Sequence, residues 1–159
     1  MNKTISMQEM GTIIKEQLAE GGQVRFTPKG NSMLPMLRNN LDTVTLKRSE
    51  GRLKKYDLPL YQRKDNSYVL HRVVKVCNDG TYMMRGDNQL YTERGITDEQ
   101  IVGVVASFTR KDKEYTDSSI SYRLYSFAWV NTNSVRRLLK RTRRFLGRVK
   151  RKIKRIINH

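Results

Sequence analysis

Cysteine is almost missing from this chain. The one residue, Cys77, excludes an intramolecular disulfide framework and a cysteine-rich zinc site. Histidine is nearly as scarce, with only His71 and His159, so no multi-histidine metal site is expected. No stretch approaches the roughly 18 uncharged apolar residues of a spanning helix, which argues against an integral membrane protein. The opening MNKTISMQEM lacks the apolar core of a signal peptide, so the cytoplasm is the expected compartment. What remains is 159 residues with 37% hydrophobic side chains, enough for one small core and an appendage.

Acidic residues are the next absence, and it is local. Residues 134–159 hold 12 basic side chains and no acidic one, and so supply most of the net charge of +17. Within that tail Val135, Leu138, Leu139, Thr142, Phe145, Leu146, Val149, Ile153, Ile156 and Ile157 recur at three- and four-residue steps. That spacing predicts an amphipathic helix with a basic face that includes Arg136, Arg137, Lys140, Arg144 and Lys152. Three uses fit such a helix: an anionic membrane surface, nucleic-acid phosphates, or the protein's own domain. The long apolar stripe, with Phe145 on it, favours the membrane over nucleic acid, which needs charge but no stripe. Upstream, Tyr122, Tyr125, Phe127 and Trp129 read as interfacial anchors. The organisation expected is a domain over 1–115, a connector over 116–133 and the basic helical tail over 134–159.

Within the domain, residues 6–20 predict one short helix. Ser6 and Glu9 make a capping box, Met7, Met10, Ile14 and Leu18 make the stripe, and Gly21-Gly22 ends it. Strands are expected over 23–27, 43–48, 58–63, 68–76, 81–85 and 101–110. Asn78-Asp79-Gly80 is a hairpin turn, and Pro59 is tolerated only at a strand start or an edge. The fold class expected is therefore mainly β.

Three blocks carry chemistry when taken together: Gly30-Asn31-Ser32-Met33-Leu34-Pro35, Val69-Leu70-His71-Arg72-Val73-Val74 and Arg85-Gly86-Asp87-Asn88. A serine needs a base within reach to act as a nucleophile. A histidine is mostly neutral at pH 7 without special desolvation, which places the base limb of activity near pH 6 to 7. A carboxylate can fix the imidazole tautomer and stabilise the imidazolium. Asp87 is the first candidate, and Glu93 is a possible second.

In this order and with these flanks, the blocks resemble the type I signal peptidase superfamily of serine endopeptidases, which includes the self-cleaving repressors of the SOS type. The resemblance covers residues 22–110. GNSMLPML is similar to the family's nucleophile box, YVLHRVVKV to its general-base strand and RGDNQ to its Gly-Asp-Asn box. Histidine in the base position resembles the archaeal and endoplasmic-reticulum branch. The resemblance implies coiled β-sheets in a partly open barrel, with Ser32 as nucleophile, His71 as general base and Asp87 as acidic partner. Glu93 stands where that branch often has a second aspartate. Gly30 stands where bacterial members carry an oxyanion-donating hydroxyl, which leaves the Ser32 backbone N–H as donor. Gly30, Asn31, Met33 and Pro35 would form the oxyanion and substrate loop.

The implied activity is cleavage of a peptide or precursor protein, such as a leader, by a bacterial enzyme held peripherally at the inner membrane face by its tail. No metal or organic cofactor is implied. A non-catalytic peptide-binding module of the same fold and a self-cleaving repressor-type relative are the alternatives. The sequence assigns no oligomeric state.

Overall fold

The computed structural model describes residues 7–136 together with 138 and 142. Ser6, the side chains of Met7 and Met10, and the tail residues Arg137, Lys140, Arg144, Phe145 and Lys152 lie outside the described residues.

Helix α1 (Met7–Ala19) forms where the apolar spacing predicts it, and Ile14 and Leu18 are buried. It closes in a Schellman turn. Gly21 N–H donates to the Leu18 carbonyl at 3.2 Å, and Gly22 N–H to that of Gln17 at 3.0 Å. The strands follow in chain order: β1 (Val24–Phe26), β2 (Thr43–Lys47), β3 (Pro59–Gln62), β4 (Tyr68–Leu70), β5 (Arg72–Val76), β6 (Tyr82–Arg85), β7 (Glu93–Ile96), β8 (Ile101–Arg110) and β9 (Lys113–Thr116). The architecture is mainly β, with a curled half-barrel sheet and the short N-terminal helix.

The larger sheet runs β1-β2-β8-β3-β4, with β9 also pairing β8. All its pairings are antiparallel, and β8 is the spine. Register shifts at Thr45/Leu46 and Leu60/Tyr61 mark bulges, which bend and twist the strands they interrupt. Pro59 opens β3, a position where the missing N–H is tolerated even though β3 lies between two neighbours. The smaller sheet runs β5-β6-β7.

The single strand expected over 68–76 is divided. β4 stays with β3 in the larger sheet, β5 pairs β6 in the smaller one, and His71 is the residue between. His71 N–H reaches the Pro59 carbonyl at 3.3 Å, and Val73 N–H reaches Asp57 at 2.9 Å. The chain thus changes sheets at His71 while its backbone groups stay paired. Two cores result. Ile14, Leu18, Val44, Leu46, Val105 and Phe108 belong to the first; Tyr61, Val73, Tyr82, Met84 and Ile96 belong to the second.

Four elements were not legible in the sequence: β7, a 3-10 turn at Asp98–Gln100, β9 and a second helix, α2 (Ile120–Asn131). The stretch 116–133, expected as a connector, is largely this helix, and it buries Tyr122 and Ser126 against the domain.

At Gly103 on β8, an added Cβ would lie 2.5 Å from Leu18 Cδ1 and 2.9 Å from the Lys47 carbonyl. Here α1 crosses the sheet and leaves no room for a methyl group. Gly103→Ala should lower the urea midpoint, with a loss of about 1–3 kcal/mol.

Candidate active site

Ser32 is half-exposed in the loop between β1 and β2. Met33 and Met36 bury their side chains in the first core and anchor this loop, whereas Asn31 and Pro35 are exposed. Gly30 holds a φ of +109°, a backbone conformation that favours glycine, and its N–H donates to Asn39 Oδ1 at 2.8 Å. The first and third sequence blocks are stitched together. Asn88 N–H donates to the Ser32 carbonyl at 2.7 Å, and Asn88 Nδ2 donates to the Asn31 carbonyl at 3.1 Å. A Cβ on Gly86 would lie 2.7 Å from that same Ser32 carbonyl, so the close approach requires glycine.

His71 is fully buried. Its Nδ1 lies 3.2 Å from Glu93 Oε1 and 3.0 Å from the Tyr61 hydroxyl. Glu93 is held in turn by Arg63, whose Nε donates to Oε2 at 2.8 Å and whose second nitrogen donates to Oε1. Burial alone would raise the Glu93 carboxyl, but hydrogen bonds from Arg63 and Tyr61 outweigh it and hold the group below its usual range. Glu93 is therefore ionised at neutral pH and can only accept, so Nδ1 carries the proton. The lone pair is then left on Nε2, which is buried and has no hydrogen-bond partner. Burial pulls the imidazole pKa from 6.5 down to about 4, with Glu93 opposing the shift. His71 thus has one nitrogen oriented by Glu93 and the other buried without a partner.

Asp87 does something else. It is nearly buried and pairs with Arg72 through two bonds of 3.0 Å, Nε to Oδ1 and Nη2 to Oδ2. The expected assignment of Asp87 as partner of His71 is therefore corrected in geometry, since Glu93 is the carboxylate at Nδ1. The reason lies in the change of sheets. Arg72 opens β5 and takes Asp87, whereas His71, between the two strands, meets Glu93. Burial works against the charge of Arg72, but the Asp87 carboxylate outweighs it and raises the guanidinium pKa further.

Helix α2 closes over this pair. Arg72 Nη1 donates to the Tyr122 hydroxyl at 3.0 Å and to Ser126 Oγ at 2.7 Å. Tyr125 donates to Asp87 Oδ2 at 3.0 Å, and Trp129 Nε1 to the Asp87 carbonyl at 2.8 Å. Arg136 stacks on Trp129 at 3.7 Å from the ring centroid and also donates to the Asp87 carbonyl, at 3.2 Å. So Tyr122, Tyr125, Trp129 and Arg136, expected at a membrane, instead hold α2 on the domain. Phe127 alone of that group faces outward.

Sequence reasoning missed Tyr61 and Arg63 as site residues. Their two-residue spacing put them on one face of a strand, but nothing in it pointed to Glu93 thirty residues on. Among the described residues, no group of histidine, cysteine or carboxylate side chains is arranged to hold a metal ion.

Two outcomes follow from this wiring. Asp87→Ala strands a buried guanidinium and should cost about 3–5 kcal/mol in urea unfolding. The double replacement Arg72→Met with Asp87→Leu should cost less than Asp87→Ala alone; an equal or larger loss would show that the stranded charge is not the cause. For His71, the unfolded chain takes up a proton below pH 6.5, while the folded chain resists until about pH 4. The associated stability is complete above pH 6.5 and falls as pH drops toward 4, by about 3 kcal/mol in all. His71→Gln should flatten that part of the stability–pH curve.

Compared with family models, with curated proteins and with solved structures, the chain finds no match.

Proposed function

We propose that this chain is a serine endopeptidase resembling the type I signal peptidases, with Ser32 as nucleophile, His71 Nε2 as general base and Glu93 as the carboxylate that orients it. The observation that carries this reading is the buried, partnerless Nε2 of a histidine whose other nitrogen is fixed by an ionised Glu93. Nε2 takes the Ser32 hydroxyl proton as Oγ attacks the scissile carbonyl. Glu93 stabilises the imidazolium that forms. The Ser32 backbone N–H is the candidate donor to the oxyanion. The imidazolium returns its proton to the leaving amine, and water then cleaves the acyl-enzyme. Asp87, clamped by Arg72, supports the nucleophile loop through Asn88 and takes no proton.

The substrate is a peptide or precursor protein that pairs as a strand at a sheet edge. The enzyme works peripherally at the inner face of a bacterial membrane. Among the described residues, no helix is long and apolar enough to cross a membrane. A non-catalytic peptide-binding module is the competing reading. It is favoured by one observation, that no hydrogen bond joins Ser32 to His71, although such bonds often close only in the substrate complex.

The test is cleavage of a peptide library by wild type, Ser32→Ala, His71→Ala and Glu93→Gln, read by mass spectrometry. Wild type should cut. The first two variants should be inactive, and Glu93→Gln should lose roughly a hundredfold or more in kcat/KM. Because the base must be neutral, and the His71 pKa sits near 4, kcat/KM should reach its plateau well below the pH 6 to 7 of an ordinary histidine. A limb still climbing above pH 9 would assign the base to a lysine. Folded wild type that neither cleaves nor reacts with serine-directed probes would favour the binding module.

A further inference from the structure

Helix α2 has two faces, and only the inner one is buried on the domain; on the outer one Phe127 meets the Tyr56 ring edge-on at 6.2 Å between centroids. Tyr122, Tyr125, Ser126 and Trp129 at steps of three and four bind the Arg72–Asp87 pair. On the opposite side Ile120 is 75% exposed, Leu124 64% and Phe127 58%. These three also recur at steps of four and three, so they form a continuous outward stripe. The helical path continues past the turn at Thr132, where Arg136 N–H donates to the Thr132 carbonyl at 3.0 Å. Val135 and Leu138, exposed at 60% and 63%, prolong the apolar series. Single exposed leucines need no explanation, but an aligned series of five does.

Charge says what covers it. Asp117 is the last acidic residue of the chain, and it is already bridged to Lys47 at 3.0 Å. The 42 residues after it contain 13 basic side chains. Beside the stripe lies a groove of about 640 Å³ between α2 and the segment 47–58. Exposed cations Lys54, Lys55 and Arg123 line it, together with Ile120, Leu124 and Phe127. Its acidic members are Glu50, Asp57 and the bridged Asp117. An apolar ridge flanked by cations and followed by an acid-free basic run is complementary to a surface that is apolar below and anionic above. Duplex nucleic acid would match the charge and leave the apolar ridge bare.

We propose that the outward face of α2 is a docking surface for an anionic lipid bilayer, with Ile120, Leu124 and Phe127 as its inserting side chains. The membrane contact thus begins on the folded domain and not at residue 134. This inference deepens the peripheral-membrane part of the proposed function and is independent of the peptidase part. Docking through this face leaves the inner face of α2 on Asp87, so binding does not require the helix to leave the domain.

The experiment is co-sedimentation of the full chain with vesicles of phosphatidylcholine containing about a third phosphatidylglycerol, at near-physiological salt. The triple variant Ile120→Gln, Leu124→Gln, Phe127→Gln keeps every charge. It should partition at least about tenfold more weakly than wild type, because three apolar side chains no longer enter the interface. The single variant Leu124→Gln should lose part of that binding. Thermal unfolding of both checks that α2 stays in place. Ser32→Ala should bind as wild type does, which separates this result from the fate of the peptidase reading. Undiminished vesicle binding by a folded triple variant would overturn the proposal. So would a wild type that ignores vesicles, whether or not it binds duplex DNA.

Discussion

The pair formed by Arg72 and Asp87 is the interaction on which the rest of the molecule depends. Both side chains are out of water, and each fully charged group there is tolerable only because the other satisfies it. The remaining donors of Arg72 go to Tyr122, Ser126, the Tyr56 carbonyl and Met36 Sδ. One guanidinium therefore joins the loop before β2, the second helix and the turn before β3. Asp87 completes the junction, because its own turn holds the Ser32 carbonyl through Asn88.

The neighbouring residue uses the same strand for the opposite purpose. Arg72 keeps its charge by being fully partnered, whereas His71 is kept neutral by being buried with one nitrogen empty. His71 lies between the two sheets and meets Glu93, whereas Arg72 opens β5 and meets Asp87, so the two environments do not compete. The bond that fixes the imidazole comes from β7, a strand placed by its pairing with β6. Arg63 keeps Glu93 ionised, and that ionisation in turn decides which nitrogen of His71 carries the proton. Orientation, tautomer and basicity are thus set by Glu93 on β7, Tyr61 on β3 and Arg63 just past the end of β3.

Helix α2 connects this buried network to the outside. Its inner side chains satisfy a buried pair that water cannot reach, and its outer side chains stay largely exposed, with Phe127 meeting the Tyr56 ring edge-on. The same sequence segment mixes aromatic and aliphatic side chains around the helix, so the division into two faces belongs to the packing. Tyr122, Tyr125 and Trp129 each carry a polar tip that finds a buried partner, whereas Ile120, Leu124 and Phe127 carry none.

Local pattern determined much of this protein. The mainly β class, the first helix with its glycine end, the hairpin turn at Asn78–Gly80 and the acid-free basic tail are all properties of short windows, and propensity and spacing act within such windows. Ser32 and His71 could be singled out because their flanking residues are also local. Long-range pairing decided the rest. The strand over 68–76 had to break at His71 because two sheets meet there. Asp87 and Glu93 are both acids in plausible places, and they were divided by which residue each one meets, Arg72 at the start of β5 or His71 just before it. The stretch after residue 116 became a packed helix because a buried arginine, 50 residues earlier than Tyr122, needed its hydroxyls. No periodicity in a sequence records which charge will be left unpaired in a core, and here that requirement fixed the site.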